Sequence, residues 1–134
     1  MDAAALAVVI LLHELAHAYS HLGRDIDASS WRTEDFASAG LKIVEGIAQF
    51  YTAAICTKLK DRYHAALDAY HALLTVQSGP YLVHQGWKTR AGAERPAARV
   101  GEVVRASMIE CRVRPIRDYS VFESALAHHH QRLA

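Results

Sequence analysis

Disulfide scaffolding is the first thing this 134-residue sequence lacks. It has two cysteines, Cys56 and Cys111, which stand too far apart for a CxxC ligand pair or a disulfide framework. Reduced, partly buried thiols are expected instead, and with them a cytoplasmic setting. Charge of one sign is missing too: a formal net charge of +1 leaves no overall footprint for nucleic acid. The cluster Arg112, Arg114 and Arg117 is read as a solvated surface, so no nucleic-acid partner is expected. The apolar run Ala3 to Leu12 is too short to span a bilayer. It also carries Asp2 where a signal peptide needs positive charge, and shows no cleavage site before His13. No membrane association is expected, and the run is read as the first half of a buried helix. Runs of alternating apolar and polar residues beyond four or five positions are absent as well, which argues against a sheet.

What is present suits one globular domain over residues 1–134, with half the residues hydrophobic and about a fifth charged. The patterning predicts a mainly α fold, a single compact helical domain with little or no β-sheet. Helix one should run from Ala3 to Leu22 and stop at Gly23. Thr33, followed by Glu34 and Asp35, marks the start of a second helix reaching about Lys60. A third covers Arg62 to Gln77, before the Ser78-Gly79-Pro80 break, and a short piece spans Tyr81 to Trp87. A loop from Lys88 to Arg95 precedes a helix opened by Pro96 and running to about Cys111. Pro115 interrupts, and Ser120 with Glu123 forms a capping-box pattern for the last helix, which ends in His128, His129 and His130.

Helix one carries the chemistry. His13-Glu14-Leu15-Ala16-His17 places two imidazoles one helical turn apart, so both can reach one ion. Val8, Leu11, Leu15, Ala18 and Leu22 form a stripe on the opposite side, expected to anchor the helix to the core and to keep the core face separate from the histidine face. In an HExxH pattern the glutamate lies beside the metal and takes a proton from the water that zinc activates, the place filled here by Glu14.

Zinc needs a third protein ligand, and the candidates are His21, Asp25, Asp27, Glu34, Asp35 and Glu45. His21 shares the histidine face but lies about 12 Å along the axis from His13, too far for one ion. Glu45 stands inside helix two, on the face opposite a stripe of Phe36, Ile43, Ile47, Phe50 and Ala54. A carboxylate on a largely apolar helix is costly unless paired or metal-bound, which favours Glu45 over the early loop carboxylates. Gln49, one turn on, is placed to orient a ligand histidine.

These residues resemble the zincin metallopeptidases, in particular the gluzincin type, in which a glutamate on the following helix completes HExxH. There is a looser likeness to the compact ImmA/IrrE zincins. The resemblance covers roughly Val8 to Tyr51. It implies Zn2+ held by His13, His17 and Glu45, Glu14 as catalytic base, and a peptide or protein substrate. It also implies an oxyanion-stabilising tyrosine or histidine from later in the domain, for which Tyr81 and His84 are the candidates. The metzincin pattern is not met, since Ser20 and Gly23 stand where that subfamily has its glycine and third histidine. Zincins usually place a sheet ahead of the active-site helix. The chain therefore resembles the helical half of a zincin without an N-terminal sheet, and the alternative is a non-catalytic helical binding or regulatory module with a structural or vestigial zinc site.

The remaining candidates carry less. His64 and His71 suit a surface, and a histidine run at a helix C-terminus suits the dipole. Trp31 and Trp87 suit either a cleft or the core.

Overall fold

The structure, a computed structural model, describes residues 2–23, 29–90 and 97–133. Among these residues it is mainly α, with no strand. The helices are α1 (Ala3–Leu22), α2 (Thr33–Ser38), α3 (Leu41–Lys58), α4 (His64–Leu74), α5 (His84–Arg90), α6 (Ala97–Val113) and α7 (Tyr119–Arg132), with a single 3-10 turn at Gly79–Tyr81.

Helix α1 has the bounds its sequence predicts. Asp2 caps it by accepting from the Ala4 and Ala5 amides, which satisfies two of the donors left over at a helix start. Helix α1 lies antiparallel to α3: Ala5 and Val9 share an apolar cluster with Ala53 and Cys56 near the end of α3, whereas His17 meets Glu45 near its beginning.

The rotation of α1 about its axis differs from expectation. Leu11, Leu15 and Leu22 are 58%, 55% and 67% exposed, and Ala5, Val9, Ala16 and Ser20 are buried in their place. Helix α1 is apolar on more than one face, so hydrophobic periodicity alone does not fix which side turns inward. Small Ala5, Ala16 and Ser20 let α3 approach closely, and the inward rotation brings His13 and His17 to polar partners on α3. The histidine face is thus part of the packed face. By length and composition the whole of α1 is apolar enough to cross a membrane, which the run Ala3 to Leu12 alone is not.

The expected second helix is two helices. Ala39 is extended (φ −64°, ψ 142°), and the Gly40 amide donates to the Arg117 carbonyl at 3.2 Å. A Cβ at Gly40 would stand 3.0 Å from that oxygen, so the close approach of the chain before α7 breaks the helix here. The short α2 then folds Phe36 back over the end of α1, where its ring stacks on His21 at 4.5 Å.

The main core joins α3, α5, α6 and α7 through Ile43, Ile47, Trp87, Val103, Val104, Met108 and Phe122, with Trp31 closing one end. Both tryptophans are therefore core residues, and the Trp87 indole donates to the Tyr119 hydroxyl at 2.9 Å. The smaller cluster of Ala5, Val9, Cys56, Ala66, Ala69 and Tyr70 joins α1, α3 and α4. Both cysteines are free and buried, and burial pushes the Cys56 thiol up, and the Cys111 thiol up to about 12, which favours the protonated thiol over the thiolate.

Three further expectations change. Arg112 is buried, donating from Nε to the Ser20 carbonyl and from Nη2 to the Tyr19 carbonyl, so it caps the C-terminus of α1 while Arg114 and Arg117 remain at the surface. His129 and His130 are buried while His128 stays exposed, and His129 Nε2 lies 3.0 Å from Glu110 Oε1, so the run is only partly a surface feature. The cap of α7 is Asp118, two residues ahead of Ser120, whose amide it accepts.

Candidate metal centre

The antiparallel pairing of α1 and α3 brings His13, His17 and Glu45 to one point. His13 Nε2 lies 2.8 Å from Glu45 Oε2 and 3.0 Å from His17 Nε2, and His17 Nε2 lies 3.2 Å from Glu45 Oε2. These three form the only group of potential metal ligands found among the described residues. Glu34 and Asp35 are not part of it; Glu34 pairs with Arg32 on the surface. Asp25 and Asp27 lie outside the described residues. His21 is held on α2, stacked on Phe36 with Nε2 3.3 Å from the Thr33 hydroxyl.

The donor set fits zinc. Ligand atoms about 2.0–2.1 Å from a tetrahedral ion stand roughly 3.3 Å apart, and a slight spreading of the trio reaches that separation. Two imidazoles and a carboxylate, all with the atom that carries a lone pair turned to one point, repel one another unless a cation or shared protons lie between them.

The tautomer of His13 follows from its neighbours. Gln49 on α3 lies 3.2 Å from the Tyr81 carbonyl, an obligate acceptor, so the amide nitrogen of Gln49 must face it, where it also donates to Gln77 Oε1 at 3.0 Å. The amide oxygen of Gln49 is thereby turned to His13 Nδ1 at 2.9 Å and accepts its proton. His13 is left with a free lone pair on Nε2, the atom aimed at the cluster. His17 lacks such a brace: its Nδ1 is buried with no hydrogen-bond partner among the described residues, and its ring rests edge-on against Phe36 at 6.4 Å.

The two residues proposed for oxyanion binding separate. The Tyr81 ring stands 6.1 Å from the His13 ring, and the negative charge of Glu45, then burial and Glu14, pushes its phenol up, so it keeps its proton. His84 is turned into the protein. Its Nε2 lies 2.6 Å from the Tyr70 hydroxyl, and burial pulls its pKa down to about 4. Burial also pushes the Tyr70 phenol up to about 12, so the phenol donates and the neutral imidazole accepts. His84 therefore secures the turn beneath Tyr81 while Tyr81 faces the cluster. Glu14 is exposed, on the solvent side of the two histidines.

No family model, curated protein or solved structure matches this chain. The candidate site consequently rests on its own geometry.

Sequence reasoning did not find Gln77, Phe36 or Tyr70. Each acts through contacts with side chains of another segment, Phe36 against His17 and His21, Gln77 with Gln49 and Tyr70 with His84, and none stands at a spacing that signals it. Gly46 was also missed: a Cβ there would lie 2.8 Å from Val83 and 2.9 Å from Trp87, so its small size lets the Tyr81-bearing turn close onto α3 beside Glu45.

Proposed function

We propose that this protein is a zinc-dependent hydrolase, a metallopeptidase acting on a peptide or protein substrate, with His13, His17 and Glu45 as the metal ligands and Glu14 as the catalytic base. The observation that carries the reading is the convergence of three ligand atoms within about hydrogen-bond distance, one of them with its tautomer set by Gln49. The three side chains keep 14%, 18% and 16% exposure, so solvent reaches the cluster, and a zinc held by three protein ligands would have room for a water.

Held by His13, His17 and Glu45, zinc would supply Lewis-acid chemistry that makes a water a better nucleophile near neutral pH. The chain's own residues do the rest. Glu14 accepts the proton of the attacking water at its carboxylate and returns it to the leaving amine. Tyr81 keeps its phenol proton beside the cluster and donates it in a hydrogen bond to the carbonyl oxygen as that atom gains negative charge. His13 is held in one tautomer by Gln49 throughout.

A second reading is a helical binding module with a structural zinc site. It is favoured by the lack of any strand among the described residues to pair with an extended peptide.

One experiment separates the two. Purified wild-type protein, Glu14→Gln and Glu45→Ala are assayed for bound zinc and for cleavage of a broad peptide library. A hydrolase loses cleavage but keeps zinc in Glu14→Gln, and loses zinc in Glu45→Ala. Full zinc occupancy without cleavage in wild type selects the binding module, and wild type that takes up no zinc rejects both.

A further inference from the structure

Gln49 is 3% exposed, and its amide is held from three sides. The oxygen accepts from His13 Nδ1 at 2.9 Å, and the nitrogen donates to Gln77 Oε1 at 3.0 Å and to the Tyr81 carbonyl at 3.2 Å. Both acceptors come from one short stretch of chain. The backbone amide of Gln77 donates to the Leu73 carbonyl at 3.0 Å, which ties it to the end of α4. Gly79 then turns the chain at φ 49°, a conformation that side chains disfavour, and the 3-10 turn that follows brings Tyr81 back to the same amide.

The Gln49 amide has two orientations, with opposite consequences for His13. In the one observed, Nδ1 of His13 carries the proton and Nε2 turns its lone pair to the cluster. Turned end for end, the amide would present its nitrogen to Nδ1, which would then have to accept. The proton would sit on Nε2, where it blocks an ion. The Tyr81 carbonyl opposes that state, because it satisfies one N–H of the observed amide and would face an oxygen in the other. The second N–H is buried too, and a buried donor without an acceptor is costly, so the amide would tilt away from His13 to find one. Gln77 supplies that acceptor, at the shorter of the two distances.

We infer that Gln77 is a positioning residue for the candidate metal centre: it holds the Gln49 amide in the orientation that keeps the His13 proton on Nδ1 and leaves Nε2 free for the ion. The ion rests on the zinc reading, whereas the tautomer rests on the hydrogen bonds alone. Gln77 is not one of the ligands, and the path from it to His13 runs through Gln49. The role therefore requires an acceptor at position 77 and the amide at position 49, and packing alone requires neither. His17 provides a contrast within the same cluster. Its Nδ1 has no hydrogen-bond partner among the described residues, so a change at Gln77 moves the tautomer of His13 and not that of His17.

The test uses the full chain as wild type, Gln77→Leu, Gln77→Glu, Gln49→Ala and the double variant Gln49→Ala with Gln77→Leu. Gln77→Ser, too short to reach Gln49, replaces Gln77→Leu if circular dichroism shows that the latter does not fold. Zinc affinity is measured by competition against a chromophoric chelator. The His13 tautomer is read on metal-free protein at about pH 9, where imidazoles are neutral, from the nitrogen-15 shifts of the two ring nitrogens.

Gln77→Leu is expected to lower zinc affinity about threefold to tenfold, the worth of one hydrogen bond, and to reduce the share of His13 with its proton on Nδ1. Gln77→Glu keeps the acceptor, so it retains the wild-type tautomer and at least the wild-type affinity. With Gln49 already replaced by alanine, Gln77→Leu is expected to change affinity by less than about twofold, because the connection is already cut. An unchanged tautomer and affinity in Gln77→Leu overturns the inference. So does an equal loss with and without Gln49, or a loss that Gln77→Glu shares, either of which assigns position 77 to packing. Wild type that takes up no zinc, yet shows a tautomer that depends on Gln77, upholds the positioning role and rejects the zinc reading. Zinc uptake that Gln77→Leu leaves unchanged upholds the ion and rejects the role.

Discussion

Gln49 accepts the Nδ1 proton of His13 at 2.9 Å, and the same amide ties His13 to the turn that carries Tyr81. One buried side chain thus sets both the tautomer of His13 and the position of the phenol that stands beside it. Gln49→Ala is expected to weaken zinc binding about 10- to 100-fold, because His13 must then pay to adopt the tautomer that leaves Nε2 free. Competition against a chromophoric chelator measures it. Unchanged affinity would mean that Gln49 braces the turn alone.

Tyr81→Phe removes the hydroxyl and leaves the ring against His13. Under the hydrolase reading, kcat falls about 100-fold or more while zinc affinity stays at the wild-type value. A variant that loses zinc together with activity would show that Tyr81 supports the ligands and not the reaction.

His84 gives the fold a pH dependence with a definite sign. Its pKa is about 6.5 in an unfolded chain and is pulled down to about 4 in the native state, chiefly by burial. The unfolded chain therefore binds more protons between these values, so this contribution to stability is fully present above about pH 6.5 and is lost as pH falls toward 4. The loss is on the order of 3 kcal/mol. Urea unfolding of metal-free protein between pH 7 and pH 4 shows the slope, and His84→Phe is expected to flatten it. An equal slope in the two proteins would assign the acid sensitivity to other groups.

Gly46→Ala should destabilise the chain by about 1–3 kcal/mol, since its methyl group meets Val83 and Trp87 at under 3.0 Å. Because Trp87 is a fully buried core side chain, little room exists for it to retreat. Thermal unfolding reads the change, and a variant as stable as wild type would show that the turn carrying Tyr81 can shift outward at no cost.

The parts of this molecule that were legible in the sequence are those governed by local rules. Helix α1 ends where Gly23 predicts, and the HExxH spacing together with the cost of a carboxylate on an apolar helix singles out the same three residues that converge in space. Its rotation was not legible, because both the face of Ala5, Val9 and Ala16 and the face of Leu11, Leu15 and Leu22 read as apolar. The choice between them is made by Glu45 and Gln49, which lie on another helix. Gly40 could be read as one more residue of a long helix until Arg117 supplied the carbonyl that its amide needs. Arg112 read as surface charge for the same reason: the carbonyls it caps belong to residues more than ninety positions away.

The two apolar clusters meet α1 at opposite ends, Ala5 and Val9 in one and Tyr19 against the other, and His13, His17 and Glu45 lie between them. The contact between α1 and α3 is accordingly two apolar patches separated by a polar gap that His13 and His17 bridge to Gln49 and Glu45. Under the zinc reading, an ion held in that gap adds a rivet that joins the two patches into one cooperative unit. Calorimetry should therefore show one melting transition in the zinc-loaded protein and two after chelation, the small cluster of α1, α3 and α4 loosening first; a single transition in both states would mean that α3 alone already couples the halves.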